Sequence, residues 1–133
     1  MKSLLLVGTW ALHRGTCTAD DGTPRPAPYG PMGMGRVSFS ADGHMIAVVC
    51  DCRPDLPAGA TREYNSYCGT YTFDGQRLVT KVFANSDPSR LSADQVRDIR
   101  FEGEYLVMRP PAHVVPGKAS EQREVWWKKI ADE

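Results

Sequence analysis

Short β-prone runs joined by tight acidic-glycine turns constrain this chain more than any other feature. Arg36-Val37-Ser38-Phe39-Ser40 leads into Asp42-Gly43, and Gly69-Thr70-Tyr71-Thr72-Phe73 leads into Asp74-Gly75. Glu102-Gly103 divides Val96 to Phe101 from Tyr105 to Met108. Glycine takes the positive φ that tight hairpin turns need, so each turn joins strands adjacent in sequence and predicts an up-and-down topology. With Leu4 to Arg14, His44 to Cys52, Gln76 to Ala84 and Glu124 to Ile130, the strands number about eight, enough for a meander to close around one small ligand. Closure also removes the sheet edges. The expected fold is all-β, a closed antiparallel barrel formed by one domain over residues 1–133.

Two stretches interrupt the meander. Thr23 to Gly35 holds Pro24, Pro26, Pro28 and Pro31, which excludes regular structure and predicts a loop over a barrel mouth. Arg53 to Ser66 is expected to carry a helical turn or short helix as a lid, and Lys118 to Arg123 reads as a solvated loop before the last strand.

Charge narrows the partners. The 16 Lys and Arg equal the 16 Asp and Glu, so the chain lacks the positive excess of a protein that tracks phosphate backbones, and no nucleic-acid partner is expected. Leu4 to Val7 is too short an apolar run for an export signal, and nothing approaches the roughly 20 apolar residues that cross a bilayer. A soluble cytoplasmic protein with no membrane partner is expected, with Cys17, Cys50, Cys52 and Cys68 as free thiols. Cys50 and Cys52 share a strand face, but Cys-x-Cys with a remote Cys68 does not supply the four ligands of a structural zinc site. There is no phosphate-binding glycine loop either, so no metal and no tightly held cofactor are expected.

Four passages in order resemble the bacterial lipocalin-like domain family of the calycin superfamily. They are Leu6-Val7-Gly8-Thr9-Trp10-Ala11-Leu12 with its Gly-x-Trp unit, Tyr29-Gly30-Pro31 through Gly43-His44-Met45, Tyr67 to Tyr71 with Phe73-Asp74-Gly75, and Pro88 with Asp94-Gln95-Val96-Arg97. The resemblance implies that Trp10 plugs the closed end of the barrel, with a terminal cation across its ring. Lys129 or Lys128 stands where the family places arginine. It also implies Met45, Ala47 and Val49 on the inner face, leaving Ile46 and Val48 outside as an apolar patch to be covered by a homodimer or by the loop from Arg53 to Ser66.

Strand alternation extends the candidate ligand-contacting set to Tyr67 and Phe73 with Tyr71, to Thr80 with Val82, to Ile99, and to Met108, although each of these residues is equally well read as core filling. Arg97 is the most informative inward candidate, sharing a face with Ile99 and Phe101. A cation directed at apolar neighbours needs a partner, either a protein carboxylate or a carboxylate or enolate of a ligand. Tyr71 is the candidate neutral donor beside it, and Arg97 with Tyr71 forms the candidate catalytic pair. The family often carries histidines on the strand after the central turn, where this chain has Thr80-Lys81, and His13, His44 and His113 stand apart in sequence.

The resemblance implies a small, largely apolar ligand in the barrel and permits a cofactor-independent tailoring enzyme of isomerase or cyclase type, acting on a polyketide-like, terpenoid or aromatic substrate. A non-catalytic carrier or sensor needs only the cavity. A filled barrel acting as an interaction module through Ile46 and Val48 is the third reading.

Overall fold

The computed structural model describes residues 2–91, 93–110 and 120–133. A 3-10 turn over Lys2–Leu5 precedes β1 (Gly8–Ala19), β2 (Gly33–Phe39), β3 (His44–Asp51), β4 (Tyr64–Phe73) and β5 (Arg77–Asn85). A second 3-10 turn (Pro88–Arg90) leads to β6 (Gln95–Glu102), β7 (Tyr105–Arg109) and β8 (Glu121–Ala131). Each strand pairs antiparallel with the next, and β1 pairs with β8 to close the barrel in sequence order.

Alternate connections of such a meander fall at opposite ends. The three glycine turns, where Gly43, Gly75 and Gly103 all have positive φ, therefore share one end with the N-terminal turn, and this end is the floor. The longer connections share the other end, the mouth.

The strands alternate as their side chains require. On β3, Met45, Ala47, Val49 and Asp51 are buried while Ile46 and Val48 are 61% and 41% exposed. On β8, Trp127 joins the core, whereas the ring of Trp126 lies outside under the Arg14 and Arg100 guanidinium groups at 4.2 and 5.5 Å. The core runs from Leu6, Trp10 and Phe39 through Met45, Phe73, Leu78 and Ile99 to Met108.

Several expectations need correction. Leu4 and Leu5 belong to the 3-10 turn rather than to the first strand, which instead runs on to Ala19. No helix forms between Arg53 and Tyr64, where prolines and glycine leave an open loop that joins β4. Glu121 to Arg123 are paired strand residues, because β8 needs them to match the long β1. Phe101 is 42% exposed although its β7 partner Leu106 is fully buried, so it does not join Ile99 in the core. His113 and Lys118 lie outside the described residues. No helix among the described residues is long and apolar enough to cross a membrane.

Candidate functional site

The floor is closed by Trp10, which is 4% exposed and donates from Nε1 to the carbonyl of Leu6 at 3.0 Å. Gly8 permits this closure. At its φ of 133° a Cβ would stand 2.5 Å from the Ala131 oxygen and 2.6 Å from Lys129 Cε. The space is taken by the Lys129 stem, whose Nζ lies 5.5 Å from the Trp10 ring centroid, while Lys128 pairs with Glu104 instead.

Tyr71 also belongs to the floor. Its hydroxyl donates to the Ser40 carbonyl at 2.8 Å and its ring packs edge-on against Phe39 at 5.0 Å. The expected partnership with Arg97 does not form, because the Tyr71 hydroxyl is taken by Ser40 while Arg97 bonds Val96 and Gln95 and lines a cavity that Tyr71 does not reach. Burial pushes the Tyr71 phenol above its ordinary value, with Asp42 adding to the effect.

A cavity of about 130 Å³ opens at the mouth. Ala47, Val49 and Met108 of the expected set line it together with Tyr67 and Arg97. Trp10, Met45, Phe73, Thr80, Val82 and Ile99 are buried in the barrel but do not line this cavity. Sequence reasoning did not place Tyr29, Arg90 and Arg123 there. Tyr29 arrives from the proline-rich loop, Arg90 from the Pro88 turn, and Arg123 from the strand register of β8.

The loop bearing Tyr29 is held by contacts remote in sequence. Tyr29 has a φ of 65°, unusual for a side chain of its size, and its backbone N–H donates to both Glu63 carboxylate oxygens at 3.1 and 3.2 Å. Gly30 follows at φ 68°, where a Cβ would meet Asp51 Oδ2 at 2.6 Å. Asp51, 2% exposed, accepts from Arg53, while Arg62 donates to the carbonyl oxygens of Asp51 and Arg53. The Arg53 hydrogen bonds hold the Asp51 carboxyl below the usual range against the opposing effect of burial.

Arg97 is half-buried. It donates to the Val96 carbonyl at 2.8 Å and to Gln95 Oε1 at 3.3 Å, and it has no carboxylate partner among the described residues. Burial lowers its pKa, though a guanidinium remains charged at any physiological pH. Burial likewise raises the Tyr67 and Tyr29 phenols, which stay neutral. The result is a cationic, donor-rich rim over walls of valine, alanine and methionine.

Histidine takes no part in this rim among the described residues. His13 stacks on Tyr105 at 4.6 Å, and His44 Nδ1 sits 3.2 Å from Asp42 on a turn. No group of three or more His, Cys, Asp or Glu among the described residues is placed to hold a metal ion. A larger groove of about 460 Å³ lies on the outer face beside Ile46, Val48 and Tyr64, apart from the converging charges.

Comparison with known families finds a lipocalin-like domain over residues 52–130, from the loop before β4 almost to the end of β8. The Gly-x-Trp passage and the β2–β3 hairpin lie outside that span. A search of curated proteins finds no match.

Proposed function

The chain belongs to the lipocalin-like domain family, and from that premise we propose that its barrel binds one small, largely apolar molecule at the mouth, as a carrier or sensor. The observation that carries this reading is the half-buried Arg97 guanidinium, which lines an apolar-walled cavity without a carboxylate partner among the described residues. An unpaired buried cation is costly, and a ligand that brings an acceptor removes the cost on binding. Apolar walls with a few convergent polar groups are how small-molecule sites fix orientation. Native mass spectrometry of freshly purified protein is expected to show a retained small molecule, absent from Arg97→Met although the variant folds. A protein that purifies empty and takes up no apolar compound removes the reading.

One observation favours a second reading, a cofactor-independent isomerase or cyclase acting on a polyketide-like, terpenoid or aromatic substrate. The Tyr67 hydroxyl has no hydrogen-bond partner among the described residues and lines the same cavity as Arg97, so a phenol and a guanidinium can serve one carbonyl oxygen. Such a pair stabilises the negative charge that develops there as an enolate forms. If turnover depends on it, Tyr67→Phe lowers kcat by about tenfold or more with little change in KM. A variant that binds ligand normally, in a protein without turnover, leaves the carrier.

Self-association belongs to the proposal as well. Met34, Ile46, Tyr64 and Phe83 are each more than half exposed on β2 to β5, and the Arg53 loop does not cover them. Sedimentation is expected to show a dimer that Ile46→Lys converts to monomer; a wild-type monomer at every concentration removes the expectation.

A further inference from the structure

The mouth cavity has donors in surplus. Arg90, Arg97 and Arg123 all line it. Arg90 meets Asp87 at 3.3 Å, and Arg123 reaches Glu121 and Glu63 only at 3.7 and 3.8 Å, while Arg97 meets no carboxylate among the described residues. The hydrogen-bond donors repeat the imbalance. Trp127 Nε1 and Arg123 Nε, both on lining residues, are buried without a hydrogen-bond partner. The hydroxyls of Tyr29 and Tyr67 are also without partners among the described residues. Buried donors are normally paired, and several unpaired ones around one space call for a group that accepts many hydrogen bonds and carries negative charge.

Size narrows the choice. Drug-sized ligands occupy pockets of roughly 300 to 1,000 Å³, whereas an apolar cavity of roughly 150 Å³ takes up benzene. At about 130 Å³, with Val37, Val49, Met108 and Val125 as walls, the space suits one ring and its substituent. A carboxylate is flat, has two oxygens with about four lone-pair sites, and matches the guanidinium fork. We propose that the cavity binds a single-ring carboxylate of benzoate size, its carboxylate held by Arg97 and Arg90 and its ring set among the Val49, Met108 and Trp127 side chains. This inference rests on the binding reading above and names its ligand class.

Calorimetric titration of the full chain with benzoate, benzamide, toluene, phenyl phosphate and decanoate tests it. Benzoate is expected to bind at least about tenfold more tightly than its neutral isostere benzamide, and to weaken with added salt while toluene does not. Arg97→Gln erases the preference for benzoate. Arg90→Gln, on an exposed side chain whose loss leaves the barrel folded, reduces it in the same direction. Equal binding of benzoate and benzamide, or tighter binding of phenyl phosphate, overturns the carboxylate. Tighter binding of decanoate overturns the single ring. Toluene binding without benzoate binding overturns this inference and leaves the binding reading intact, whereas failure of every probe overturns both.

Discussion

Lys129 shows how one residue type sets the quality of the floor. Its stem fills the space that Gly8 leaves empty, and its ammonium lies 5.5 Å from the Trp10 ring centroid. A guanidinium is flat and more weakly hydrated, and stacks where an ammonium can only approach. Lys129→Arg is therefore expected to raise stability by about 0.5 kcal/mol, seen as a higher Tm; an unchanged or lower Tm shows that the stem, not the charge, is what Trp10 needs. Trp10→Phe removes the Nε1 donor to Leu6 and part of the ring, and is expected to cost about 2 kcal/mol or more in chemical denaturation. The same scale separates Tyr67 from Tyr71. Both lie on one strand face, but one phenol is consumed by Ser40 and the other faces the cavity.

Among the strands, β4 and β5 carry the sharpest constraint. Their register shifts between Cys68 and Gly69, and a Cβ on Gly69 would stand 2.0 Å from the Lys81 carbonyl oxygen. That neighbour is backbone, so relief requires the two strands to part. Gly69→Ala is expected to destabilise the barrel by more than about 2 kcal/mol, with loss of amide exchange protection on β4 and β5 first. A wild-type melting curve would show that the strands part at little cost. This bulge was not legible in the sequence, although the hairpins on either side were. Glycine turns and two-residue alternation report which strands pair and which side chains face inward, and Met45, Ala47 and Val49 followed that rule. Depth along the barrel is set by shear and bulges, so alternation could not tell that Tyr67 reaches the mouth with Arg97 while Tyr71 stays below. Tyr29 and Arg90 were illegible for another reason. Their placement depends on Glu63 and the Pro88 turn, contacts that no local pattern encodes.

Closure of the whole barrel depends on β8, whose Glu124 ties three strands together. Its carboxylate accepts from Arg100 of β6 at 2.6 and 3.2 Å and from Arg109 of β7 at 2.8 Å, with only 14% of its side chain exposed. Arg100, then Arg109, holds its carboxyl below the ordinary range despite burial, as Arg53 does for Asp51 at the other side of the mouth. The sign follows directly. A carboxylate whose folded pKa is depressed contributes stability that is complete above its unfolded value, about 3.9 for Asp and 4.3 for Glu, and that is lost as pH falls through the folded value. Tm is thus expected to hold nearly level from neutral pH down to about 5 and to drop steeply below about 4. Glu124→Gln should cost about 1 kcal/mol at pH 7, the arginine partners being partly exposed, and should melt with a shallower acid slope than wild type. Two curves that run parallel through the acid range would mean that Glu124 does not gate the closure, leaving the acid response to the other depressed carboxyls, Asp21, Asp42, Asp51 and Asp87.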